Sequence, residues 1–162
     1  MNESTTKRGF FLALWDQLKS RAADMSAQAK TTAGKFKNKD FANASMAICA
    51  LIAAADGSID PEERRKTAGF ISSNDVLSIF PASELLEKFN FYASKLESDY
   101  DFGKVEAIQT IAKLKSKPDA ARAVIQVGII IGGADGNFDE DEKRAVRDAC
   151  NAVGIPPADF DL

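Results

Sequence analysis

Gly132-Gly-Ala-Asp-Gly-Asn-Phe-Asp-Glu-Asp-Glu-Lys-Arg-Ala-Val146 decides the fold, because an earlier stretch, Ala53-Ala-Ala-Asp-Gly-Ser-Ile-Asp-Pro-Glu-Glu-Arg-Arg65, is built the same way. Asp56 matches Asp135, Gly57 matches Gly136, and Ile59 matches Phe138. Asp60 then falls on Asp139, Glu62 on Asp141 and Glu63 on Glu142. Each copy follows a long apolar run and opens a charged, helix-forming run. Self-similarity of this kind dictates architecture. It predicts two equivalent helix-acidic turn-helix units in a pseudo-twofold internal repeat.

The shared motif, Asp-Gly-x-[Ile/Phe]-Asp-x-x-Glu, looks like the second half of an EF-hand calcium loop. There an acidic residue precedes an invariant glycine, an aliphatic residue follows two places later, and a Glu closes the site six places later. Gly57 to Glu63 and Gly136 to Glu142 have that spacing. The first half of the loop is missing: Ile52 and Ala54, or Ile131 and Gly133, stand where its first side-chain ligands belong. Neither turn can form a complete cage alone. Calcium, or another divalent cation, would need the two half-loops to share an ion, or each to hold one weakly with water completing the shell. The candidate ligands are Asp56, Asp60, Glu63, Asp135, Asp139 and Glu142.

Helix capping explains many of the same residues without metal. Gly57 and Gly136 suit left-handed positions that end the apolar helices. Asp60-Pro61-Glu62-Glu63 reads as an N-cap, a proline at the first helical position and a Glu at N3, which together form a capping box; Asp139 to Glu142 repeats it without the proline. Asp56 and Asp135 are left over. They sit at helix C-termini, where the macrodipole disfavours negative charge by roughly 0.3–1 kcal/mol, and they do so twice in the same register. Both readings stay open at this point.

Composition bounds the alternatives. At 162 residues the chain can bury a sizeable core as one domain. It has no histidine, which removes most zinc sites and Ser-His or Cys-His catalysis. Cys49 and Cys150 fall within apolar helical runs, as two buried thiols or as a pair brought together by the repeat. No secretory signal is evident, so a reduced, cytoplasmic compartment is expected. The net charge of −3 hides an asymmetry: residues 1–39 carry eight Lys/Arg and three acids, leaving thirteen bases and twenty-one acids in the remainder. A basic arm on an acidic body points to surface interactions. The acidic body lacks basic-aromatic interleaving, which argues against nucleic acid.

Along the chain, Phe10, Phe11, Leu14, Leu18, Ala22, Met25 and Ala29 recur at helical spacing. Residues 1–35 therefore read as a basic amphipathic N-terminal segment. It either docks on its own domain or meets a partner or membrane surface through residues 9–30. Residues 36–162 read as a helical domain. Ala44–Ala55 and Ala120–Gly133 are apolar nearly all round and predict two buried helices, both short of the ~20 residues that cross a bilayer. Amphipathic helices are expected at about 61–72, with Glu62 paired to Lys66, at 81–98, 104–115 and 140–153, with a short turn near 76–80. No segment alternates with period two. The expectation is an all-α, single-domain bundle of about seven helices.

Phe36-Lys-Asn-Lys-Asp-Phe41, Ala47-Ile-Cys-Ala-Leu-Ile-Ala-Ala-Ala-Asp-Gly57, Val127-Gly-Ile through Asp135-Gly-Asn-Phe-Asp-Glu-Asp-Glu-Lys143 and Gly154-Ile-Pro-Pro-Ala-Asp-Phe160 resemble the bacterial tellurite-resistance TerB family. The likeness runs from about Phe10 to the C-terminus; the first eight or nine residues look like an extension. The resemblance implies an all-helical fold, no known enzymatic activity and a stress-response role. Its implied partners are other tellurite-resistance (Ter) proteins, which include a membrane protein and calcium-binding proteins. It also implies that the six acidic residues above are candidate metal ligands.

The expected function is therefore non-enzymatic: a cytoplasmic metal sensor or scaffold, peripheral to the inner membrane face. The alternative is a metal-independent interaction module whose acids only cap helices. A hydrolase using paired carboxylates needs one acid with a raised pKa in a cleft, and the sequence offers its acids only on charged turns.

Overall fold

An apolar run with no polar face has to be surrounded, and Lys39–Ala53 (α1) is. In the computed structural model, which describes residues 23–25, 27–28 and 38–162, eleven of its fifteen residues are buried. Asn38 caps its N-terminus by accepting the Phe41 N–H at 2.9 Å. The remaining helices are α2 (Pro61–Ser73), α3 (Ala82–Ser98), α4 (Tyr100–Ala112), α5 (Pro118–Gly132) and α6 (Glu140–Val153), with 3-10 turns at Val76–Ile79 and Pro157–Phe160. Residues 23–25 and 27–28 are also helical. The described residues are all-α, as expected.

α1 packs against α3, α4, α5 and α6 and forms the axis of the bundle. α3 and α4 make a tight antiparallel pair, hinged at Asp99, which accepts the Phe102 N–H at 3.2 Å. α4 begins at Tyr100, four residues earlier than the sequence indicated. Asp99-Tyr-Asp-Phe-Gly103 reads as punctuation, yet only Asp99 leaves the helical conformation, as an N-cap. Gly103 lies inside the helix because α3 passes so close. A Cβ there would stand 2.8 Å from the Leu96 backbone nitrogen.

α1 and α5 lie side by side and point the same way. Ile48 sits against Gly128, and one turn later Ile52 sits against Gly132. A parallel pair places both C-termini at one end of the bundle, and each C-terminus leads into an acidic turn.

One sequence expectation is corrected. Among the described residues Glu62 and Lys66 form no ion pair; Lys66 instead turns toward the acidic end of the molecule. The repeat is closest in the turns, since α6 packs more broadly on α5 than α2 does on α1, and α2 leans chiefly on α3. Arg64 makes that attachment, donating to the Asn90 Oδ1 at 3.2 Å and the Ser94 Oγ at 3.0 Å, and pairing with Glu97 at 3.1 Å.

Most of the amphipathic N-terminal segment lies outside the described residues. Its described part rests on the domain: Met25 packs on the core, and Gln28 accepts a hydrogen bond from the buried Gln126 of α5 at 2.9 Å. No helix among the described residues is long and apolar enough to cross a membrane.

Candidate functional site

The two turns match bond for bond. After α1, Ala54 N–H donates to Ala50 O, Ala55 N–H to Ile52 O and Gly57 N–H to Ala54 O; after α5, Gly133, Ala134 and Gly136 do the same to Ile129, Ile131 and Gly133. Gly57 and Gly136 take φ of 97° and 82°, the left-handed region expected of them. They stand three residues beyond the helix-ending Ala54 and Gly133 rather than directly on the helix end. Glycine is favoured there because a Cβ would clash with the backbone in that conformation.

Asp56 and Asp135 have a structural task that capping rules do not supply. The Asp56 Oδ1 accepts the Ser58 N–H at 3.1 Å, and the Asp135 Oδ1 accepts the Asn137 N–H at 2.9 Å. These are Asx turns, in which a side chain stands in for a backbone carbonyl. Asp56 and Asp135, which helix capping leaves over, thus have a place in the turns whether or not a cation binds. The second half of each turn is a cap: Asp60 Oδ1 accepts the Glu63 N–H at 2.7 Å, and Asp139 Oδ1 accepts the Glu142 N–H at 2.8 Å.

Here the copies diverge. Glu142 completes its capping box, its Oε1 accepting the Asp139 N–H at 3.2 Å. Glu63 does not close the equivalent box, and its carboxylate has no hydrogen bond or ion pair among the described residues.

Glu63, Asp135 and Glu142 line one cavity of about 30 Å³ between the turns. Cys49, Ile52 and Gly132 also line it, together with Lys66, Thr67 and Phe70 of α2. Asp56, Asp60 and Asp139 are exposed and outside the lining, yet within electrostatic reach of it. Partial burial raises the Glu63 pKa, and Asp60, Asp56, Asp135 and Asp139 raise it further. Burial also pushes Glu142 up to about 8, against the hydrogen bond from Asp139 N–H and with help from the Asp139 and Asp135 charges. Acids from both turns therefore act on one another across the gap. The partial negative ends of α1 and α5 point the same way.

The donor types fit a hard cation. Carboxylate oxygens are what calcium takes, and Glu63 is a carboxylate with no hydrogen-bond or ion-pair partner among the described residues. As they stand, no three acid or thiol side chains among the described residues are gathered closely enough to hold a metal ion. Glu142 supplies the raised acid that the sequence denied to a hydrolase. The cavity nevertheless falls far below the ~300–1,000 Å³ of small-molecule sites.

Sequence reading missed Cys49, Gly132 and Lys66. The signal for the first two was present: Cys49 and Ala53 align with Gly128 and Gly132, small residues one turn apart at the same register of both copies. Both cysteines are free and buried. Burial pushes the Cys49 thiol up to about 12 and, with Asp159 nearby, the Cys150 thiol up to about 11. Both are protonated and unreactive near neutral pH.

Away from this end, the exposed large apolar side chains among the described residues are Phe91, Phe102 and Val105, all on α3 and α4. Phe91 and Phe102 share a shallow groove, and Lys95 Nζ lies 4.8 Å from the Phe91 ring centre.

Fold and site define a class of protein: an all-helical domain that sets two half-loops of acidic residues over one small cavity. Residues 42–162 match the family described as tellurite resistance protein TerB, and the chain belongs to that family. It is 32% identical over 118 residues to the tellurium resistance protein TerB of Alcaligenes sp, a match spanning 73% of this chain and 97% of that protein. No solved structure matches. The family is not a known class of enzyme. The family match begins at residue 42, so residues 10–41, expected to share the likeness, fall outside it.

Proposed function

We propose that this protein is a non-enzymatic, cytoplasmic member of a tellurite-resistance system that binds a divalent cation, calcium in the first instance, between its two acidic turns. Through that site it acts as a sensor or scaffold for other tellurite-resistance proteins, among them a membrane protein. The observation that carries the reading is the cavity shared by Glu63, Asp135 and Glu142, to which distant parts of the chain contribute.

Glu63, Asp135 and Glu142 would hold the ion. A bound cation would supply compact positive charge where carboxylates otherwise repel one another. The protein's part is to keep the turns adjacent, through the parallel α1–α5 pair, and to keep the cavity too small for organic ligands. Asp56, Asp60 and Asp139 shape the turns and add negative potential.

Calorimetric titration with calcium and magnesium tests this. The unaltered protein should bind calcium, and Glu63→Gln with Glu142→Gln should weaken binding at least about tenfold, since charge count sets affinity in oxygen-ligand sites. No binding by the unaltered protein would overturn the metal reading. For the basic N-terminal segment, removal of residues 1–35 should lower association with anionic vesicles; unchanged association would remove the membrane from the proposal.

The metal-independent interaction module has one observation in its favour. Of the six candidate acids, all but Glu63 have a hydrogen-bonding task within the turns. On that reading the titration is flat and partner binding is indifferent to chelators.

A further inference from the structure

α4 carries apolar residues on two opposite faces, and only one of them is covered. Gly103, Ala107 and Ile111 are buried where α4 packs on α1, α3 and α6. Phe102, Val105, Gln109 and Ala112 recur at helical spacing on the other side. Phe102 is 70% exposed and Val105 55%. Phe91 of α3, 46% exposed, shares with Phe102 a groove of about 340 Å³. A surface helix ordinarily turns charged residues to water on its outer face. An exposed apolar stripe with a polar rim marks an interaction site instead.

The charges at the two ends of the stripe identify what covers it. Asp99 and Asp101 stand at its N-terminal end, and the C-terminal end leads into Lys113, Lys115 and Lys117; all five are exposed. The side chains of Asp101 and the three lysines have no hydrogen-bond or ion-pair partner among the described residues. Acid first and base last suits the helix dipole, which accounts for the signs but not for the bare apolar residues between them. An acidic partner or an anionic membrane would be repelled at one end of this stripe, and a basic partner at the other. Lys95, beside the groove, is already paired with Glu106 at 2.8 Å and is no spare charge for an acidic ligand. A second copy of α4 laid antiparallel is attracted at both ends. With the twofold axis at the level of Ala107, Asp101 meets Lys113 of the second copy. Phe102 then meets the small Ala112 of that copy, and Val105 meets its Gln109. Each contact is made twice, as a twofold interface requires.

We propose that α4 is the pairing surface of a twofold homodimer, in which Phe102 and Val105 of each copy are buried against α4 of the other. No residue of α4 lines the acidic cavity, so this pairing stands apart from the cation reading. An interface built on one 13-residue helix and its flank falls at the low end of specific contacts, which bury ~1,200–2,000 Å². The dimer therefore dissociates on dilution.

Sedimentation velocity of the full chain tests this, over about 1 µM to about 1 mM, a range that spans the affinities of small interfaces. The unaltered protein should shift reversibly from monomer to dimer. Phe102→Ser should leave it monomeric throughout with an unchanged melting temperature, since the side chain is exposed. Val105→Ser should weaken pairing by at least about tenfold, as loss of a central apolar contact does, and serves if Phe102→Ser disturbs folding. Asp101→Lys and Lys113→Asp should each weaken pairing by about tenfold, because like charges then face each other twice. The double variant carrying both should regain it, which antiparallel self-pairing alone predicts.

A monomer at every concentration would overturn the proposal, whether the face is bare, covered by the chain's own N-terminal segment or kept for another protein. A dimer indifferent to Phe102→Ser and Val105→Ser would also overturn it, because the copies would then meet through another surface. Failure of the double variant to regain pairing would contradict the antiparallel arrangement on which the proposal stands.

Discussion

Asp56 and Asp135 carry a charge that their own turns do not need, because an Asx turn uses an oxygen and is indifferent to ionisation. Asn keeps that oxygen and Ala does not. Without metal, Asp56→Asn and Asp135→Asn should therefore be neutral or stabilising by a few tenths of a kcal/mol, relieving repulsion at helix C-termini. Asp56→Ala and Asp135→Ala should each cost about 1 kcal/mol, the usual worth of a local hydrogen bond. Equal effects of Asn and Ala in chemical denaturation would show that the Asx bonds contribute nothing. Glu142 makes a second prediction. Its carboxyl titrates near 4.5 in an unfolded chain and about 8 in the fold, so the native state binds more protons between those values. Stability of the metal-free protein should then decline as pH rises from about 4.5 to about 8. Glu142→Gln, which keeps the capping acceptor, should flatten that decline. A melting temperature that climbs through this window in the unaltered protein alone would contradict the assignment.

At the scale of elements, the α3–α4 pair is held by contact between backbones. Gly103→Ala drives a methyl to 2.8–2.9 Å from Leu96 and Lys95 main-chain atoms, which cannot rotate away. It should cost about 1–3 kcal/mol, as overpacking does, measured as a lowered denaturation midpoint with unchanged slope. A neutral outcome would mean that the hinge at Asp99 yields easily. The helices themselves were largely legible in the sequence, α1 and α5 as unbroken apolar runs and α2 and α6 by their N-terminal caps. The start of α4 was not. Gly103 reads as a breaker when only local propensity is weighed, whereas its reason for being there is a neighbour that touches it from α3. The Glu62–Lys66 pair failed on similar grounds. Spacing permits such a pair, but a solvated pair is worth only tenths of a kcal/mol, too little to hold Lys66 away from the acidic end.

For the whole molecule, α1 is the axis that turns two remote stretches of sequence into one surface. Among the described residues of the 1–35 segment, Met25 packs on the core and Gln28 bonds to Gln126. Removal of residues 1–35 should leave a cooperatively melting domain, with the loss of the Gln28–Gln126 bond costing about 0.5–1.5 kcal/mol. Loss of cooperative melting would make that segment part of the core. The likeness of the two acidic turns was legible in the sequence, and their backbone hydrogen bonds correspond. That Glu63, Asp135 and Glu142 meet at one cavity was not legible. It depends on α1 and α5 running in parallel, which in turn depends on Gly128 and Gly132 as much as on any acid. The central claim is that the two turns form one site. Amide NMR during a calcium titration of Asp56→Asn alone tests it most directly. A shared site predicts that this change, confined to the first turn, weakens the calcium-induced shifts of Gly57 and Gly136 together, with one common midpoint. Shifts of Gly136 that keep the midpoint of the unaltered protein would contradict it.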